Sequence, residues 1–429
     1  MNMRIPHDSV STVYVADTLV VGGGTAGVFA AIAAARSGAK TVLIEKNGIL
    51  GGTMTTGGIN YPGLFYAWGK QIIAGPCWES ILKTVALGGA TLPKFQKHPK
   101  NHWDEQIRLN IPLYAYILDC MAHEAGVTVL LHTMLADVTE KATGIESIAV
   151  GKDGLFGIKT KTIIDATGDL NAVHMLGYAY ETSQTQQPAT LTNRLTGYCY
   201  DDLDTETLMQ ELASAAKETG YEELVPWRLN QFLKAYSLHS IHIPCVGCAD
   251  SASKSTIERA AREKIQKILA YLRKIDKLSA IKAEEICIEC GIRETRRLIG
   301  EETVTVEDYV QARCFDDAIC YAFYPVDLHV QDGIEQVFLE EDKVPTIPYG
   351  ALVPKGAKRV LVCGRSISSD ALANSALRVQ APCMATGQAA GCAAAIMAEE
   401  NKSAMEVEYH ALCNSLKKLG AIVPTLQER

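Results

Sequence analysis

The chain has 429 residues, enough to bury more than one core, so two domains are expected. With 48% hydrophobic and 21% charged residues it has the composition of an ordinary water-soluble globular enzyme. A formal net charge of −8, with its basic residues scattered, argues against a polyanion partner, because counterion release needs a clustered basic surface.

The opening MNMRIPHDSVSTVYVAD lacks an uninterrupted apolar stretch and does not read as a signal peptide. Together with thirteen cysteines, this points to reduced thiols and a cytoplasmic location. Residues 19–21 (LVV) are a short strand, 41–45 (TVLIE) a second, and the segment between them has the length of one helix, a βαβ start. The run from 19 to 35 is broken by three glycines and too weakly apolar to span a membrane. Residues 128–132 (TVLLH) form another strand, 134–164 a glycine-punctuated β-meander, and 163–169 (IIDATGD) a strand entering a glycine turn. From about 181 the character changes to a polar stretch, a helical pattern to about 217 and a strand over 237–246. Ser255, with Glu258 at N3, marks a capping box, after which Ile257, Ala261, Ile265, Ile268 and Leu272 fall on one helix face. The sequence ICIECGI reads as a strand, RVLVC (359–363) as another, and 382–399 as an Ala/Gly-rich helix packed tightly, followed by a helix over 405–418.

Gly22, Gly24 and Gly27 satisfy G-x-G-x-x-G between that first strand and helix. The first glycine permits the tight turn, the second lets backbone approach a pyrophosphate, and the third lets helix and strand pack closely. The helix N-terminus offers N–H groups and its positive dipole end to the anion. Glu45 ends the second strand, where a carboxylate accepts bonds from ribose hydroxyls. Strand, helix, strand and acid agree on a dinucleotide. A second glycine-dense loop, NGILGGTMTTGG, favours FAD over NAD, because permissive backbone can pass close to the ribityl chain and flavin. There is no second fingerprint in a strand–helix context, as a reductase with two dinucleotides would carry.

Four stretches resemble the FAD-dependent oxidoreductase family of the glutathione-reductase-like superfamily. They are VVGGGTAG with IEKNGILGGTMTTGG, IIDATGD, GIRETRRLIGEETVTVEDYVQARCFDDAICYAFYPVDLH, and IPYGALVPKGAKRVLVCGRSISSDALANSALRVQAPCMATGQAAG. Fumarate-reductase-type flavoproteins are more distantly similar. The resemblance implies an α/β fold: a discontinuous Rossmann-like FAD-binding domain (12–184 and 341–429) with an inserted α+β substrate or cap domain (185–340). It also implies that Gly22, Gly24, Gly27 and Glu45, with Thr25, Ala26 and Lys46 beside them, hold the ADP half. Gly51, Gly52 and Thr53 would line the path to the flavin, Thr167, Gly168 and Asp169 would form a second contact, and Gly364 with Arg365 a third. A helix beginning near Met384, Ala385, Thr386 and Gly387 would aim its positive end at the flavin. The plainer readings are close packing of small residues for that helix and a turn-stabilising side chain for Asp169.

Hydride transfer to flavin needs positioning and a group for the accompanying proton. FYPVDLHVQDG supplies His329, with Tyr324 and Asp327 nearby, against a structural histidine as the alternative. Arg378 and Arg293 are candidates to bind a carboxylate, whereas Arg296 and Arg297 read as partners of acids such as Glu289 or Glu294. Two CxxC pairs, Cys245/Cys248 and Cys287/Cys290, could make a tetrathiolate metal site or a redox disulfide, but small buried hydrophobes is the favoured reading, with no metal. A glutathione-reductase-type disulfide centre is disfavoured, since no cysteine precedes Cys77 after the second glycine loop. His98 and His102 read as a polar surface loop. The leading function is an FAD-dependent oxidoreductase transferring hydride between a small organic substrate and tightly bound FAD. The alternative is a flavin electron-transfer subunit serving a protein partner, with a cysteine-bound metal; an RNA-modifying role conflicts with the acidic balance. The partners expected are a small-molecule substrate and, as an open option, further copies of the chain, with no nucleic acid and no membrane.

Overall fold

A computed structural model describes residues 6–98, 102–184, 186–245, 247–330 and 333–425. The chain forms two compact units: Met1–Thr55, Asn60–Ser183 and Glu294–Arg429 make the larger, Thr56–Ile59 and Gln184–Arg293 the smaller. The second long boundary therefore falls at 293/294, where 340/341 was expected. Residues 294–340 join the larger unit because their partners are there: Arg296 donates to Asp169 O at 2.9 Å, and Leu298 N to Ser366 O at 2.9 Å.

The larger unit is built on five strands: β1 (Thr18–Val21), β2 (Thr41–Glu45), β3 (Thr128–Leu131), β4 (Thr162–Asp165) and β5 (Val360–Val362). All neighbours pair in parallel, in the order β5-β4-β1-β2-β3. Every residue of β1, β2, β4 and β5 is buried, which is why they read as continuous apolar runs rather than alternating ones. Between β1 and β2 runs α1 (Gly27–Arg36), buried from Gly27 to Ala34. It packs against α2 (Gln380–Glu400), and the reason for the latter's Ala/Gly content is geometric. A methyl group on Gly387 would lie 2.1 Å from Ala26 O, and one on Gly391 2.2 Å from Ala30 O. The expected meander forms a four-stranded sheet in the order Thr12–Val15, Gly154–Thr160, Gly144–Gly151, Met134–Lys141.

The smaller unit has a three-stranded antiparallel sheet, Leu238–Cys245, Gln186–Thr196 and Lys282–Ile286 in that order, with helices Thr205–Thr219, Pro226–Ala235 and Ser251–Leu272. The last helix buries the expected Ile257, Ala261, Ile265, Ile268 and Leu272. It starts five residues earlier than the Ser255 capping box implied. Asp250 Oδ1 accepts the N–H groups of Ala252 and Ser253 at 2.9 Å, and Ser255 donates to Ser251 O inside the helix. The strand expected through ICIECGI stops at Ile286, because Glu289 N turns away to Thr56 O (3.3 Å). Among the described residues, no helix is long and apolar enough to cross a membrane.

Candidate dinucleotide and catalytic site

The glycine turn between β1 and α1 is defined by what each missing side chain would strike. Gly22 has φ +101°, and a methyl group there would lie 2.7 Å from Ala166 O in the loop after β4. On Gly27 it would lie 1.8 Å from Gly22 O, so helix and turn touch backbone to backbone. Gly24 differs: its methyl group would meet only Gly52 Cα, at 3.8 Å, leaving that face of the turn as a cradle that a side chain would fill. The second glycine loop closes over it. Gly51 N donates to Gly23 O at 2.9 Å, Thr25 Oγ1 donates to Gly51 O at 3.2 Å, and Gly52 and Thr53 are half-buried. Residues 56–59 of the same loop belong instead to the smaller unit, where Thr192 donates to Gly57 O at 3.1 Å.

Glu45 is buried at the end of β2, its carboxylate accepting Gly23 N (2.7 Å) and Asn47 N (2.8 Å). The acid is thereby oriented at the rim of the cradle, while the neighbouring Lys46 is exposed. At the end of β4, the fully buried Asp165 accepts Thr167 N (3.1 Å), Thr167 Oγ1 (2.7 Å) and Val173 N (3.0 Å), and burial pushes its carboxyl above the usual range. Sequence reasoning missed Asp165, although its signal, an acid ending an apolar strand before a glycine turn, is the one that singled out Glu45. Arg365 donates to Gly168 O and to Asp169 Oδ1, each at 2.9 Å, and Thr295 adds a bond to Asp169 at 3.0 Å. Asp169 thus forms an ion pair, which the turn reading did not include.

Gly364 N donates to Thr386 Oγ1 at 3.1 Å, and a methyl group on Gly364 would meet Ala26 Cβ at 3.0 Å. The loops carrying residues 22–27, 51–53, 167–169 and 364–365 therefore gather around the start of α1. Met384, Ala385, Thr386 and Gly387 lie buried within α2, which begins at Gln380 rather than near 384. Of its first-turn amides, Ala381 N donates to Pro62 O, Cys383 N to Val379 O, and Pro382 has none. The helix end offers its dipole rather than a row of open N–H groups.

Arg378 follows the helix Ala371–Leu377 and is largely buried, with its guanidinium 3.3 Å from Asp327 O and 3.9 Å from the Asp327 carboxylate. Burial pulls its pKa down, while the charges of Asp327 and Tyr324 oppose that. Tyr324 is buried and its hydroxyl accepts from Gln106 at 3.4 Å. His329 lies on the strand Val326–Val330, opposite Ile334, but its side chain falls outside the described ones. Burial pushes the Cys383 thiol up to about 12, against the pull of the Arg365 and Arg378 charges. Arg297 pairs with Glu294 at 3.4 Å and Ser183 at 2.6 Å, and Arg293 with Thr190 at 2.8 Å.

In the smaller unit Cys245 and Cys248 are bonded to each other, with Cα atoms 6.4 Å apart, rather than standing as the separate buried thiols the sequence favoured. Cys287 and Cys290 are free thiols, both raised above their usual range by burial. Among the described residues, no three His, Cys, Asp or Glu side chains are placed to hold a metal.

The cradle fits FAD on its own features: an open face at Gly24, an oriented carboxylate at Glu45, and two buried polar atoms beside Arg365. Those atoms, Asn374 Oδ1 and Ser366 Oγ, have no hydrogen-bond partner among the described residues. Comparison with known proteins agrees. Residues 17–416 match the model of the family described as FAD dependent oxidoreductase. Thiamine thiazole synthase from Aeropyrum pernix is 29% identical over 164 residues, covering 35% of this chain and 54% of that one. Fumarate reductase (cytochrome) from Shewanella frigidimarina is 38% identical over 89 residues, 20% of this chain and 14% of that one. The chain thus spans well under two thirds of either relative. Solved structures similar along most of the chain include a geranylgeranyl bacteriochlorophyll reductase-like protein from Thermoplasma acidophilum (13% identity, 95% of this chain, 83% of that one, TM-score 0.45). Another is the p-nitrophenol 4-monooxygenase of Pseudomonas putida (9% identity, 94% and 84% covered, TM-score 0.45). With nearly its whole length matching one family model, and a Rossmann-like site shaped for the cofactor, the chain belongs to the FAD-dependent oxidoreductase family.

Proposed function

We propose that the chain transfers a hydride between a small organic substrate and FAD. The observation that carries this is the gathering of the loops after β1, β4 and β5 at one end of the sheet, with the buried pair Arg378–Asp327 in the same unit. In this reading Glu45 binds the ribose of the ADP half. Gly22–Gly27 would hold the pyrophosphate, and the residues following β4 and β5, on the far side of β1 from Glu45, would hold the flavin half. When bound, FAD supplies the two-electron acceptor or donor. The chain's own residues hold the substrate and manage a proton. Arg378, held by Asp327, presents a fixed cation suited to an acidic or carbonyl oxygen of the substrate. Tyr324 and His329 are the candidates to give or take the proton.

Anaerobic mixing with candidate substrates, monitored in the visible spectrum, tests the proposal. Substrate deuterated at the reacting carbon should reduce the bound flavin several-fold more slowly. Arg378→Met should retain FAD and lose at least about a hundredfold in the reduction rate. Full-rate reduction in Arg378→Met, or no isotope effect on a rate-limiting reduction step, would sink the hydride reading.

A further inference from the structure

We propose that Asn374 and Ser366 are ligands of the flavin half of FAD. Asn374 sits on the helix Ala371–Leu377 with its side chain fully buried. Its Nδ2 donates to Arg365 O at 2.8 Å, which fixes which way the amide faces. The atom left over is therefore Oδ1, an acceptor with no donor among the described residues. Ser366, next to Arg365 in the chain, is 1% exposed, and its hydroxyl likewise has no partner among them.

Their neighbours are satisfied. Ser368 Oγ accepts Gly300 N at 3.1 Å, Ser375 Oγ accepts Asp327 N at 3.0 Å, and Thr386 Oγ1 accepts Gly364 N at 3.1 Å. Buried polar atoms are seldom left unpaired, so two beside one backbone carbonyl call for a partner from outside the described chain. Both follow β5, the end of the sheet away from Glu45. The inference rests on the proposed orientation, in which that end takes the flavin half. That half carries donors for Asn374, the ribityl hydroxyls and the ring imide N–H, and acceptors for Ser366, the ring carbonyls. A buried water would serve the same atoms without FAD, so the test must separate the two.

Apoprotein is titrated calorimetrically with FAD and, separately, with ADP. Ser366→Ala removes a hydroxyl that bonds nothing within the described chain, so it should fold as the wild type does. It should nonetheless bind FAD about tenfold more weakly with ADP affinity unchanged. Asn374→Leu should show the same split, and Asn374→Asp, which keeps an acceptor oxygen, should recover most of the FAD affinity. FAD affinity unchanged in Ser366→Ala overturns the proposal in favour of a water while leaving the orientation intact. Equal losses for FAD and ADP overturn the orientation itself. Ser366→Ala decides alone if Asn374→Leu does not fold. With 3-methyl-FAD, the difference between wild type and Asn374→Leu vanishes if the ring N–H is the donor and persists if a ribityl hydroxyl is.

Discussion

Gly24 and Gly27 differ in what an added methyl group would meet, and that difference separates cofactor binding from folding. At Gly27 the methyl would sit 1.8 Å from Gly22 O, a backbone atom that cannot step aside. Gly27→Ala should therefore destabilise the apoprotein by about 3 kcal/mol, as overpacking does, and FAD binding would fail as a consequence. At Gly24 the nearest atom is 3.8 Å away. Gly24→Ala should leave the apoprotein's thermal midpoint within about 2 °C of the wild type and weaken FAD at least about tenfold, because the methyl occupies the pyrophosphate's approach. Differential scanning fluorimetry with and without FAD reads both. A Gly24→Ala protein that binds FAD normally would remove the cradle from this turn. Both roles, and which glycine carries which, were legible from the motif, but not the atoms each one approaches, because Gly52 and Ala166 reach the turn from two other places in the chain.

At the scale of elements, the strand Leu238–Cys245 carries a pH liability. His239 is fully buried, and burial, with the Arg228 charge adding to it, holds its pKa down to about 3 from the ordinary 6.5. Between those values the unfolded chain binds one proton more than the folded one. The smaller unit should therefore lose up to about 1.4 kcal/mol of stability per pH unit as pH falls below 6.5, and stop losing it near 3. Hydrogen exchange of this strand between pH 7 and 4 measures the slope, and His239→Gln should flatten it by one proton's worth. An unchanged slope would mean that the histidine is protonated in the folded state. The elements themselves were largely readable: the strands of the parallel sheet as apolar runs, the long helix from its face at Ile257 to Leu272. Two boundaries were not, one for a local reason and one for a tertiary reason. Asp250 outcompetes Ser255 as the cap, and Glu289 leaves the sheet to bond Thr56.

For the molecule as a whole, the cores do not mix. The apolar core of the smaller unit draws all its buried members from residues 189–292, and the two large cores of the other unit include none of them. A fragment comprising residues 184–293 should therefore fold alone, with a cooperative melt by circular dichroism and no affinity for FAD. Its midpoint should lie below that of the same unit in the full chain, since the bonds of Thr56 and Gly57 to Glu289 and Thr192 are lost. Adding FAD to the full chain should raise the melting of the larger unit. A fragment without a cooperative transition, or one that binds FAD, would contradict this division.

The sequence by itself determined that a dinucleotide is held here, while FAD and redox chemistry came with the second glycine loop and the family resemblance. The glycine spacing, the flanking apolar runs and the acid at Glu45 act within about 30 residues of one another, and local periodicity records such order directly. The tertiary structure decided what depends on distant pairs. Arg365 reaches Asp169 across 196 positions, and Thr295 reaches it across 126. The unit boundary at 293 follows from the same kind of contact, as in the bond from Leu298 N to Ser366 O. No local pattern encodes these, because each is a property of two stretches meeting, and only the fold brings them together.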